Sequence, residues 1–142
     1  MIKVIAVGKM KNRELSSLAQ DYLSRSQRFD KVELVEIKDS TLPKEAEKML
    51  EILQKNKGAI FAMGEEGKEY TSVEFAKLLE KHPHANFLIG SAYGIDKEIK
   101  QRATQIIALS KMTFTHEFAR VFLLEQIYRA KNIQANTGYH HV

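Results

Sequence analysis

The 142-residue sequence contains no cysteine, which removes disulfides, thiolate catalysis and zinc–cysteine sites together. No apolar run approaches the ~20 residues needed to span a bilayer. Internal repeats, low-complexity tracts and linkers are also missing, so one domain with one sizeable core is expected. The opening stretch Met1-Ile2-Lys3-Val4-Ile5-Ala6-Val7-Gly8 is too short for a signal peptide and reads as a buried strand. A bacterial-type cytoplasm is the simplest compartment. With 44% hydrophobic and 28% charged residues the chain is not disordered. A net charge of +4 mildly favours a polyanionic partner.

What is present is an alternation of strand and helix signals. Residues 2–8 end at Gly8; Leu15, Leu18, Ala19, Tyr22 and Leu23 recur at helical spacing. Val32 to Ile37 alternates as a half-exposed, edge-like strand, and Pro43 opens a helix to about Asn56. Gly58 to Met63 is a short apolar run typical of a strand with both faces covered. Thr71-Ser72-Val73-Glu74 is a capping box whose helix ends near His82-Pro83. Asn86 to Gly90 is another buried strand, Asp96 caps a helix to about Ala103, and Gln105 to Leu109 is a final strand. This order predicts an α/β domain with a mostly parallel sheet flanked by helices, spanning 1–142.

The last helix, expected from about His116 to Ile133 with Thr115 as N-cap, is apolar over most of its circumference. At ~100° per residue, Phe118, Phe122 and Ile133 fall on one side and Leu123, Ile127 and Ala130 nearly opposite. Such a helix needs partners on more than one side, and a second copy of the chain is the expected one: a homodimer.

Several motifs fail on spacing. A phosphate loop needs four residues between its glycines and Ser or Thr after the lysine, whereas only Glu65 and Glu66 separate Gly64 from Gly67, and Glu69 follows Lys68. His116-Glu117-Phe118-Ala119-Arg120 puts a cation where a zincin helix has its second histidine. Gly90-Ser91-Ala92-Tyr93-Gly94 lacks dinucleotide spacing, and His82 and His84 flank a proline as solvent-facing turn residues. No metal, nicotinamide or nucleotide-triphosphate chemistry is supported.

Three segments follow strand ends: Met63 to Lys68, Gly90 to Gly94 and Leu109 to Phe114. Ligands of open parallel sheets sit there. The glycines permit close backbone approach, and Met112 and Phe114 supply soft apolar surface. The combination suits a small, partly apolar ligand with hydrogen-bonding edges, such as an adenosine. The plainer alternative is turn glycines beside core side chains.

Phe87-Leu88-Ile89-Gly90 with Tyr93-Gly94, Leu109-Ser110-Lys111-Met112-Thr113-Phe114-Thr115-His116, Ala119-Arg120, Leu124-Glu125-Gln126-Ile127-Tyr128-Arg129-Ala130 and Tyr139-His140 together resemble one family along the whole chain. It is the large-subunit ribosomal RNA pseudouridine N3-methyltransferase family of the SPOUT, or α/β-knot, class. The resemblance implies a C-terminal trefoil knot that binds S-adenosylmethionine through Met63, Gly90 and the run Leu109, Ser110, Lys111, Met112, Thr113 and Phe114. It also implies a homodimer with sites near the subunit interface, acting on ribosomes; no metal and no membrane are expected, from the failed motifs and the short apolar runs. His140 is the expected base or hydrogen-bond partner of the substrate, Tyr139 a stacking group, and Arg129 a holder of phosphate or of the base's carbonyl. Arg129 also has the ion-pair spacing from Glu125. His116 and Arg120 are candidate RNA contacts, with packing for His116 and a solvated position for Arg120 as alternatives. The chain departs from the family pattern at Gly64, Ser91, Thr115, Gly138 and the His141-Val142 end, where a lone Lys or Arg is usual for a phosphate contact. A methyltransferase acting on a different RNA, or a non-catalytic RNA-binding dimer, are the competing readings.

Overall fold

A computed structural model describes residues 1–141. Five strands, β1 (Ile2–Val7), β2 (Val32–Ile37), β3 (Ala59–Glu69), β4 (Ala85–Ile89) and β5 (Gln105–Ala108), form one sheet in the order β2-β1-β4-β3-β5. Every pairing between these strands is parallel, so all five carboxyl ends lie along one edge. The order is consistent with the knotted C-terminal half that the resemblance implies. β2 is an edge strand, as its alternating sequence predicts.

Between the strands run α1 (Arg13–Ser26), α2 (Leu42–Lys55), α3 (Ser72–Lys81), α4 (Lys97–Arg102) and α5 (His116–Ala135). Their starts follow side-chain chemistry. Asn12, Thr41, Thr71, Asp96 and Thr115 each accept a hydrogen bond from a first-turn amide, and Thr71 with Glu74 completes the capping box.

Strand alternation divides the core in two. Ile2, Val4 and Ala6 face one layer, where Ala19 and Leu23 of α1, Phe75 and Leu79 of α3, and Leu123, Leu124 and Ile127 of α5 pack. Ile5 and Val7 face the other, against Ala46 and Met49 of α2 and Ile99 of α4. Burying each large aliphatic chain is worth about 1.5–3 kcal/mol, and α5 supplies Leu123 and Ile127 at zero exposure and Leu124 at 1%. Its opposite side leaves Phe118 and Phe122 45% and 41% exposed. The two sides expected of this helix are therefore present at Phe118 and Phe122, whereas Ile133, expected beside them, is partly buried against the core.

One expectation is corrected. The chain does not leave the sheet after Met63: β3 continues to Glu69. Met63 and Lys68 both pair with Ile107, so Gly64 to Gly67 bulge out of the ladder. The long-range pairing to β5 recaptures the chain, and no local signal announces it. At Gly67 a Cβ would sit 2.6 Å from the Ile106 backbone, which explains why glycine is needed where β3 rejoins β5.

Candidate active site

A cavity of about 630 Å³ opens between the carboxyl ends of β3 and β5 and one side of α5. Met63, Ile107, Leu109, Phe75, Phe114, Phe122 and Leu123 give it an apolar wall, and Tyr70, Ser72, Glu125, Gln126 and Arg129 supply polar edges. This volume and lining are typical of small-molecule sites. Ser72 donates to Gln126 at 2.8 Å and Tyr70 donates to Gln105, so two of the polar walls are fixed by bonds between elements.

Of the residues expected to contact cofactor, Met63, Leu109 and Phe114 line this cavity. Ser110, Lys111, Met112 and Thr113 form its outer loop. Ser110 accepts from the Met112 amide at 3.0 Å, Thr113 donates to Glu65 of the β3 bulge, and Met112 stands 75% exposed. Gly90 lies at the end of β4, outside the cavity lining. Its Cα faces the returning turn so closely that a Cβ would lie 2.3 Å from the Gly94 carbonyl oxygen.

The C-terminal tail is docked rather than free. Tyr139 sets its ring edge-on against Tyr128 at 4.8 Å, and the Arg129 guanidinium lies 4.8 Å from the Tyr139 ring centroid. The Tyr139 hydroxyl donates to Glu125 at 3.1 Å. Burial, together with the Glu125 charge and hydrogen bond, pushes this phenol up to about 12; it stays protonated at neutral pH and is no base. Arg129 donates through Nε at 3.0 Å and Nη2 at 2.6 Å to Glu125 Oε1, while its Nη1 lies 3.0 Å from His140 Nδ1. The three expected substrate-side residues are thus brought together. The residue that joins them, Glu125, carries only an ion-pair spacing in the sequence. For the chain end, His141 is exposed and Val142 lies outside the described residues.

The RNA-contact expectation for Arg120 is corrected. Its side chain has zero exposure, bonded to Glu36 at 2.6 Å, the Val7 carbonyl at 3.1 Å and the Gly8 carbonyl at 2.6 Å. These long-range acceptors draw it inward, and Nε alone among its donors is left unpartnered. His116, half-buried, packs beside it with Nδ1 3.2 Å from Arg120 Nη2. Next to them Glu117 accepts from the Lys11 and Asn12 amides at 2.9 and 3.0 Å. The start of α5 is therefore latched onto the turn after β1. His82 is also less exposed than its turn position implies, meeting Phe61 edge-on at 5.5 Å.

No cluster of three or more His, Asp or Glu side chains suited to a metal occurs among the described residues, and no helix there is long and apolar enough to cross a membrane. A parallel sheet covered on both faces, with a cleft at its carboxyl edge closed by the last helix, defines an α/β ligand-binding enzyme architecture. The family model described as predicted SPOUT methyltransferase matches residues 1–140, and the chain belongs to that family. Relatives named ribosomal RNA large subunit methyltransferase H occur in Gloeobacter violaceus, 36% identical over 99% of this chain and 98% of the relative, and in Dictyoglomus thermophilum, 39% identical over 99% of each. Among solved structures, one from Bacillus anthracis assigned as an RNA methyltransferase superposes with a TM-score of 0.61 at 11% identity, over 93% of this chain and 95% of that one. The SpoU methyltransferase AviRb of Streptomyces viridochromogenes, solved with AdoMet, gives 0.52 at 10% identity, over 96% of this chain and 58% of that one. These two likenesses concern the fold.

Proposed function

We propose that this chain is an S-adenosylmethionine-dependent methyltransferase that modifies N3 of a pseudouridine in large-subunit ribosomal RNA, acting as a homodimer on assembled ribosomes in the cytoplasm. The observation that carries this reading is the meeting, around one cavity, of Met63, Leu109 and Phe114 with the Arg129–Glu125 pair that docks Tyr139 and His140. The names of the full-length relatives support the RNA target, and the motif resemblance supports the nucleotide and the atom.

The cavity fits the cofactor on chemistry. Its wall is mainly apolar, its rim carries hydrogen-bonding groups, and its volume of about 630 Å³ is ample. Met63, Leu109 and Phe114 would hold the cofactor from the cavity wall, with Gly90 and the backbone of 110–113 along the outer edge. When bound, S-adenosylmethionine supplies a methyl group already activated on a sulfonium centre. The protein's own task is to hold and orient the base. Arg129, fixed by Glu125, presents cationic N–H groups to a phosphate or a carbonyl. Tyr139 offers an aromatic surface and His140 a ring nitrogen.

The exposed aromatic cluster on α5 supports the dimer. Phe118 and Phe122 stack at 5.8 Å, and Phe114 meets Phe122 edge-on at 5.1 Å beside the cavity mouth. At +4 per chain the electrostatic grip on RNA is modest; two copies double it, and an assembled ribosome offers shape as well as charge. A non-catalytic RNA-binding dimer would have no use for an open cavity of this size.

Mass mapping of modified nucleosides in ribosomal RNA from a strain lacking this gene tests the reading. Loss of one methyl on a large-subunit pseudouridine is expected; an unchanged map overturns it.

A further inference from the structure

The Glu125 carboxylate is the hub of the docked tail. Its side chain is only 17% exposed, and Oε1 accepts from Arg129 Nε, Arg129 Nη2 and the Tyr139 hydroxyl, while Oε2 accepts from Gln126 Nε2 at 3.0 Å. With two guanidinium nitrogens committed to Glu125, the fork has one orientation left, and Nη1 falls 3.0 Å from His140 Nδ1.

That contact has a chemical consequence. A guanidinium has donors and no acceptor, so Nδ1 must receive the hydrogen bond through its lone pair. A proton on Nδ1 would set two N–H groups against each other at this distance. The neutral imidazole then carries its proton on Nε2.

We propose that Glu125 is a positioning residue that, through Arg129, locks His140 in the Nε2–H tautomer, so that His140 serves the substrate as a hydrogen-bond donor and not as its base. This rests on the methyl-transfer reading of the cavity. The N3–H bond of the target breaks with its electron pair left on the ring, and water takes the proton. The resulting negative charge is shared with the carbonyl oxygens flanking N3, and His140 Nε2–H donates to one of them. Tyr139, held protonated against Glu125, takes no proton either.

Two measurements test this. Nitrogen-15 spectra of histidine-labelled protein distinguish the tautomers without any substrate. A single Nε2–H pattern is expected for His140, giving way to a mixture in Glu125→Gln. An Nδ1–H pattern in the parent, or an unchanged pattern in Glu125→Gln, overturns the proposal. The second measurement is methylation of ribosomes from a strain lacking the gene, with labelled S-adenosylmethionine. His140→Gln, whose amide can still donate, should keep activity within about tenfold of the parent, whereas His140→Ala should lose about 100-fold. Glu125→Gln should slow transfer by roughly 10–100-fold, yet in a His140→Ala background it should slow it by no more than about twofold further, because Glu125 acts through Arg129 on His140; the full loss in that background would mark a role independent of His140 and sink the positioning claim. Equal inactivity of His140→Gln and His140→Ala restores the base role. A parent protein that transfers no label removes the methylation reading instead, and the tautomer assignment still stands or falls on its spectrum.

Discussion

Arg120 of α5 and Glu36 of edge strand β2 meet at 2.6 Å, the arginine side chain wholly buried and the glutamate 38% exposed. Losing either partner strands the other, and the two are stranded differently. Without Arg120 the Glu36 carboxylate recovers water, while the Val7 and Gly8 carbonyls lose a donor. Without Glu36 a guanidinium at zero exposure loses its bonded counter-charge, and only the more distant Glu117 carboxylate still acts on it. Arg120→Met should therefore cost about 2 kcal/mol and Glu36→Leu about 3 kcal/mol or more. Urea unfolding of the two variants checks the order; a costlier arginine loss would show that the cation is not the strained member.

Gly90 and Gly94 separate crowding from backbone strain in one turn. At Gly90 a Cβ would sit 2.3 Å from the Gly94 oxygen and 2.5 Å from its carbon, both backbone atoms. At Gly94 there is open space but a φ of +83°. Gly90→Ala should displace the turn, costing about 2 kcal/mol and weakening S-adenosylhomocysteine binding about tenfold by calorimetry. Gly94→Ala should cost about 1 kcal/mol and leave binding near the parent value. Equal affinities for the two variants would remove Gly90 from the cofactor site.

Three helix starts were legible in the sequence because Thr71, Asp96 and Thr115 act on amides within their own first turns; Asn12 and Thr41 cap α1 and α2 in the same way, without having stood out in the sequence. The two apolar sides of α5 were legible for the same reason: periodicity is local. The β3 bulge was not, since Met63 and Lys68 share Ile107 from a distant strand. Nor was the burial of Arg120, whose acceptors come from β1 and β2. The site itself was half legible: Met63, Leu109, Phe114 and Arg129 meet in one cavity, but the join of Tyr139 and His140 to Arg129 through Glu125 depends on how the tail folds back.

Asp30 makes acid stability depend on a tie between the two ends of the chain. It lies 3.4 Å from the N-terminal ammonium and 3.2 Å from Lys131 Nζ of α5. Burial alone would raise this carboxyl, but the hydrogen bond and charge of Lys131 and the N-terminal charge hold it below its ordinary 3.8. A depressed folded value means the stabilisation is complete above the unfolded pKa and is lost as pH falls through the lower folded one. The contribution is about 1 kcal/mol. Thermal melts should show Asp30→Asn less stable than the parent at pH 6 and the gap closing below pH ~3.5; a gap that persists at low pH would assign the loss to packing instead.

Phe118 and Phe122 stand 45% and 41% exposed on a helix whose other side is fully buried, and with Phe114 they form one aromatic surface beside the cavity mouth. Exposed aromatic clusters of this kind mark interaction sites more often than they mark open surface. If the second copy covers it, Phe118→Glu with Phe122→Glu places two carboxylates in a desolvated contact, and sedimentation should change from dimer to monomer. Because Leu123, Ile127 and Ala130 face the opposite side at zero exposure, the monomer should keep its helical circular dichroism and unfold cooperatively. Methylation should fall with dissociation if the site lies near the interface, and S-adenosylhomocysteine binding should weaken too, since Phe114 and Phe122 also line the cavity. A double variant that remains dimeric would place the subunit contact elsewhere and leave the aromatic surface to the RNA.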